Sequence, residues 1–205
     1  MVITLIGFSG AGKSHLSKQF REELSWSTYD CDSLIEQRLK HSIDNGSSSV
    51  EKLAFWLGQP YTENFQERED LLVKLEDEVT ADAFLPENIK KENYVIDTSG
   101  SVIYVSPKTI KTLKENSTVV YLEFSETEIE MMYQQFLKIP KPIIWGGMFQ
   151  PKDHETNDDA LKRCYYELVA WRKQRYEQIA DIRIPITFKE RENLTATSIL
   201  KAIKK

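Results

Sequence analysis

Gly7-Phe8-Ser9-Gly10-Ala11-Gly12-Lys13-Ser14 follows the apolar run Val2-Ile3-Thr4-Leu5-Ile6 and precedes Leu16, Phe20 and Leu24 at four-residue spacing. The octapeptide fits G-x-x-x-x-G-K-[ST], so a strand, a Walker A loop and a helix arrive in the order an anion cradle requires. Glycines let the chain turn until successive amides face one anion, and the helix starting near Lys13 adds the positive end of its dipole. In this reading the backbone of Gly7, Gly10, Ala11, Gly12, Lys13 and Ser14 holds the phosphates of a nucleoside triphosphate. The Lys13 ammonium reaches the β- and γ-phosphates, and the Ser14 hydroxyl binds Mg²⁺.

The 205 residues suffice for one α/β domain spanning 1–205, and no stretch has the composition of an interdomain linker. A net charge of −5 argues against a nucleic-acid partner. Two cysteines, Cys31 and Cys164, make no disulfide framework. The Walker A loop begins at residue 7, which leaves no room for a signal peptide, and no apolar run approaches the ~20 residues needed to span a bilayer. The expectation is a cytoplasmic protein, a monomer or weak dimer, with no membrane partner.

Beyond the first helix, Ser27-Thr28-Tyr29-Asp30 reads as a second strand, and Ser33-Leu34-Ile35-Glu36 has capping-box spacing for the helix after it. Asp30 and Asp32 then lie at the carboxyl end of a strand, where open α/β sheets place ligands. Two readings stand for the pair. One carboxylate serves the Mg²⁺ shell and the other a substrate hydroxyl, or both decorate a helix N-terminus. Cys31 between them is either a reactive thiol or a small packed residue.

The polar stretch 41–49, with Asn45-Gly46-Ser47 as a turn signal, reads as a loop. Val50–Leu57 and roughly 62–84 read as helices, the second with Phe65, Leu72, Leu75 and Val79 on its apolar face. Tyr94-Val95-Ile96-Asp97-Thr98-Ser99-Gly100 is a buried strand ending in an Asp that either supports Mg²⁺ or forms a turn. Pro107 opens another helix, 118–124 is a fourth strand, and Ser125 caps a helix to Leu137. The segment 138–156, rich in proline and glycine with exposed-looking aromatics, reads as a mobile lid before a helix from Asp159 to Ala180. Ile182-Arg183-Ile184-Pro185-Ile186 supplies a fifth strand. The fold class is α/β, a five-stranded parallel sheet flanked by helices, with substrate-binding helices about 33–85.

This order of parts resembles the shikimate kinase family of the nucleoside-monophosphate-kinase-like P-loop proteins. The resemblance covers most of the chain. It rests on Gly7 to Ser14, on Asp30-Cys31-Asp32, on Phe65 with Glu69 in the Phe-Arg-x-x-Glu position, and on Arg172 followed by Tyr176 and Ala180-Asp181. It implies ATP and Mg²⁺ as cofactors, with Asp30 or Asp97 beside Ser14 at the metal. Asp32 would orient or deprotonate the attacking hydroxyl, Arg172 would bind an anionic substrate group, and Lys141 in the lid would approach the phosphates. Gln66, Glu69, Ser99 and Gly100 fall at the acceptor positions.

Three departures accompany the matches. Gln66 stands where the family carries a substrate-binding Arg, Thr98-Ser99-Gly100-Ser101 replaces a Gly-Gly-Gly stretch, and Lys141-Pro142-Ile143 replaces Arg-Pro-Leu. A glutamine cannot fork a carboxylate as arginine does. These changes favour a kinase for another small, anionic or polyhydroxylated metabolite over shikimate itself. Two alternatives remain open: a nucleoside or nucleotide kinase that reads a base with Trp56, Gln59 and Tyr61, and a nucleotide-binding regulatory module without phosphoryl transfer.

Overall fold

The computed structural model describes residues 1–40, 50–89, 93–138 and 141–204. The loop expected at 41–49 and residues 139–140 of the expected lid lie outside the described residues. In chain order the elements are β1 (Val2–Ile6), α1 (Lys13–Leu24), β2 (Ser27–Asp30), α2 (Cys31–Lys40), α3 (Val50–Leu57), α4 (Phe65–Asp82) and β3 (Tyr94–Asp97). There follow α5 (Pro107–Asn116), β4 (Thr118–Phe124), α6 (Ile129–Lys138), α7 (Asn157–Ile179), β5 (Ile182–Ile186) and α8 (Ala196–Ile203).

The strands form one parallel sheet in the order β2-β3-β1-β4-β5. Every residue of β3, and every residue but the first of β1 and β4, is buried. Unbroken burial means that helices cover both faces of these strands, which is why they read as continuous apolar runs rather than alternating ones. The register sets Asp97 level with Leu5 of β1 and with Asp30 of β2, so the carboxyl ends of three adjacent strands open onto one place. No helix among the described residues is long and apolar enough to cross a membrane.

The structure corrects several local expectations. Helix α2 starts at Cys31, two residues before the expected cap. Asp30 is the residue at its mouth, accepting from the Ser33 amide at 3.0 Å and the Ser33 hydroxyl at 2.6 Å. A 3₁₀ turn, Glu126–Glu128, separates Ser125 from α6. Helix α7 begins at Asn157, where Thr156 accepts from the Asp159 amide. Trp145 of the expected lid is 2% exposed, not displayed to solvent.

Helix α4 differs most from its sequence reading. Its buried stripe is Phe65, Glu69, Leu72, Glu76 and Val79, while Leu75 is only half-buried. Positions 65, 69, 72, 76 and 79 follow the 3.6-residue turn more closely than a stripe through Leu75. Two carboxylates therefore face inward, and a buried carboxylate requires partners.

Candidate functional site

The loop between β1 and α1 is bent where only glycine fits. Gly7 has φ +142°, and a Cβ there would lie 2.7 Å from the Leu122 carbonyl oxygen. The Lys13 ammonium is buried under the loop and donates to the carbonyls of Gly7 (3.0 Å) and Phe8 (3.2 Å). It is held by neutral acceptors rather than by a carboxylate. Ser14 is exposed, and its hydroxyl lies near enough to Asp97 to favour the ionised carboxylate.

Asp97 is 4% exposed at the end of β3. Burial pushes its carboxyl up to about 6, against the downward pull of Lys13 and of the Ser14 hydroxyl. Ser14 and Asp97 are hard oxygen donors beside a phosphate cradle, a set that fits Mg²⁺ completed by phosphate oxygens and water. Asp30 lies on the same cleft, but both its oxygens are engaged by Ser33.

Two cations lie over the loop. Arg191, in the turn after β5, donates from Nη1 to the Gly10 carbonyl at 2.8 Å. A Cβ on Gly10 would lie 3.3 Å from Lys141 Nζ and 3.6 Å from Arg191 Nη1. Burial, then Arg191 and Lys13, lower the Lys141 pKa. Sequence reasoning missed Arg191. Its neighbours Lys189, Glu190 and Glu192 make it look like one member of a solvated charge run, and only its return over Gly10 distinguishes it.

A cleft of about 350 Å³ opens from this cradle, within the range of small-molecule sites. Ser9, Ser14 and Asp32 line it together with Ser99, Gly100 and Arg172. Asp32 is open to the cleft, yet the protein crowding it thins its hydration and raises its carboxyl, with Lys13 opposing. Cys31 is fully buried, with its thiol pushed well up by burial, and packs in the core.

The far wall combines several elements. Arg172 of α7 is buried, donating from Nη2 to the Ile144 carbonyl and from Nε to the Tyr104 hydroxyl at 3.3 Å. Its guanidinium lies 5.2 Å over the Tyr104 ring. Glu76 of α4 also lines the cleft and accepts from the hydroxyls of both Ser99 and Ser101. Burial pushes its carboxyl up to about 7 in spite of those two bonds. Tyr176 donates to the Gly100 carbonyl and packs its ring on Phe8, which ties this wall to the phosphate loop. Sequence reasoning missed Glu76 as well, having assigned the neighbouring Leu75 to the inward face.

Other expected residues are not brought into the cleft. Glu69 is buried and accepts the amides of Trp145 and Gly146, fixing the turn after residue 144. Gln66 is exposed and donates to Glu69 and Asp70. Arg68 donates to the Trp56 carbonyl at 2.6 Å with its guanidinium over the indole, so it does not replace an arginine at position 66. Trp56, Gln59 and Tyr61 do not line the cleft either, which leaves the base-reading alternative without its shelf.

No protein-family model matches the chain. It is 30% identical over 204 residues to the shikimate kinase of Buchnera aphidicola subsp. Schizaphis graminum, covering 98% of this chain and 92% of the relative. It is also 30% identical over 189 residues to the shikimate kinase of Wigglesworthia glossinidia brevipalpis, covering 91% and 87%. Among solved structures, a shikimate kinase from Acinetobacter baumannii in complex with shikimate superposes with a TM-score of 0.64 at 21% identity, over 99% of this chain and 92% of that one.

Proposed function

Because the chain belongs to the shikimate kinase family, an ATP-dependent kinase, we propose that it transfers the γ-phosphoryl group of ATP to a hydroxyl of a small metabolite bound in the cleft. One observation carries the reading. Ser9 and Ser14 of the phosphate loop, Asp32 and Arg172 line a single cleft, so a phosphate donor and an alcohol acceptor would share one enclosure.

Phosphoryl transfer asks little covalent chemistry of a protein and much positioning of charge. The amides of Gly10 to Ser14 and the Lys13 ammonium would receive the phosphate oxygens, once Lys13 leaves the carbonyls of Gly7 and Phe8. Ser14 and Asp97 would hold Mg²⁺, which when bound neutralises charge on the β- and γ-phosphates. Lys141 and Arg191, already over Gly10, would screen the transferring group from water and stabilise its equatorial oxygens. Asp32 would accept a hydrogen bond from the attacking alcohol and take its proton as the new O–P bond forms. Arg172 would anchor the acceptor, since its Nη1 group has no hydrogen-bond partner among the described residues. Asp30 acts by capping α2 and so aims Asp32 into the cleft.

Acceptor-dependent release of ADP, measured with shikimate, other hydroxy acids, sugars, amino alcohols and nucleosides, tests this. The expected result is turnover that requires an alcohol. Tight ATP binding with no alcohol-stimulated turnover overturns phosphoryl transfer in favour of a nucleotide-binding module.

A further inference from the structure

Glu76 is a carboxylate, 2% exposed, on the wall where an acceptor would rest. Each serine hydroxyl has one proton to give, and Ser99 and Ser101 both give theirs to Glu76. The Ser101 amide is also committed, to Ser99 Oγ at 3.0 Å, and the Gly100 carbonyl accepts from Tyr176. With Glu76 ionised, what the side chains of this wall have left for a ligand is lone pairs, while the Ser99 and Gly100 amides have no acceptor among the described residues. The wall can accept hydrogen bonds and has few to donate.

Charge around the cleft has the same sense. Asp30, Asp32, Glu36 and Glu76 line it, against Lys141 and Arg172. Lys141 belongs to the phosphate end, over Gly10, and Arg172 has two of its three nitrogens engaged by Ile144 and Tyr104. A second carboxylate placed against the Ser99 and Ser101 hydroxyls would meet oxygen lone pairs and a buried acid, and neither hydroxyl has a proton left to offset its lost hydration. An ammonium there would meet a matched, desolvated partner. Leu72, Met132, Phe136 and Leu168 also line the cleft, beside Gln135, and suit a compact apolar frame.

We propose that Glu76, acting with Ser99 and Ser101, is a specificity-determining residue that selects an alcohol acceptor bearing a protonated amine and rejects one that turns a carboxylate to this wall. The inference rests on the phosphoryl-transfer reading and names the class of acceptor for it.

The test uses the full chain and sets of cyclic alcohols that share a ring and differ in one substituent: an amine, a methyl group or a carboxylate. Acceptor-dependent ADP release is measured alongside calorimetric binding in the presence of ADP and Mg²⁺. The amine member should lead the carboxylate member by about ten- to a hundred-fold in kcat/KM and in affinity, the range of one charge-assisted hydrogen bond. In Glu76→Gln, which keeps the side-chain size, the lead should fall below about threefold.

A wild-type preference for the carboxylate member, or a lead that survives in Glu76→Gln, overturns the inference and leaves phosphoryl transfer standing. Binding of the amine member without turnover of any alcohol, lost in Glu76→Gln, overturns phosphoryl transfer and upholds the selectivity of the wall. Absence of both turnover and binding overturns both. The wild-type binding series decides the matter even if Glu76→Gln does not fold.

Discussion

The two ends of the cleft are built by different means. At the proposed phosphate end, eight consecutive residues form the loop, and the two side chains proposed to act there, Lys13 and Ser14, belong to the same octapeptide. At the acceptor end the wall is assembled from Glu76 on α4, Ser99 to Ser101 after β3, Ile144 in the segment after α6, and Arg172 on α7. A main-chain cradle keeps its function while its surroundings change, because its donors are not side chains. A side-chain wall can change its chemistry through single substitutions, because Glu76, Ser99, Ser101 and Arg172 each bring their own functional group to it.

The sharpest test of the contrast is Lys13→Ala, which should lower ADP release by about a thousand-fold or more whatever the acceptor, since the transferring charge loses its desolvated counter-ion. An effect confined to some acceptors would erase the distinction between the two ends. Asp32→Asn comes next. It should lower kcat by about a hundred- to ten-thousand-fold while ATP affinity, followed by calorimetry, moves less than about threefold. Retention of full turnover would remove Asp32 from the chemistry.

Glu76 extends the contrast to stability. Its carboxyl is raised from an ordinary 4.5 to about 7, so the folded chain holds a proton that the unfolded chain releases between those values. This contribution is fully present below about pH 4.5 and is lost as the pH rises through about 7. Asp97, raised from 3.8 to about 6, adds in the same direction, so the comparison must be between variant and wild type. Glu76→Gln should gain stability relative to wild type on going from pH 5 to pH 8, on the order of 3 kcal/mol, by urea unfolding at each pH. An unchanged difference would show that the acid is ionised throughout.

The smallest expected effect belongs to Asp30→Ala. Loss of the cap on α2 should cost about 1 kcal/mol of stability and lower kcat modestly, with Mg²⁺ dependence preserved. A large rise in the Mg²⁺ concentration needed for turnover would return Asp30 to the metal. The same change at Asp97 should produce that rise.

Legibility in the sequence follows the same division. All five strands, the parallel sheet and the loop at Gly7 to Ser14 were readable because each is specified by neighbouring residues: apolar runs for β1, β3 and β4, glycine where φ must be positive, Pro107 at the first turn of α5. Caps proved less readable. Ser33 and Asp30 are both good N-caps, and the end of β2 at Asp30 decided between them. Trp145 looked exposed among prolines and glycines, but Glu69 draws the backbone of Trp145 and Gly146 inward and buries the ring.

By itself, the sequence determined the anion cradle and the sheet that aims it, since both arise from short-range geometry: the turn a glycine permits and the alignment a buried strand demands. Tertiary structure alone decided that Arg191 returns over Gly10 after 181 residues of chain, and that Glu76 rather than Leu75 faces the cleft. The physical reason is that a charged side chain carries no local sign of its destination. Whether it is solvated or buried depends on which distant groups, here the Gly10 carbonyl and two serine hydroxyls, the fold supplies to receive it.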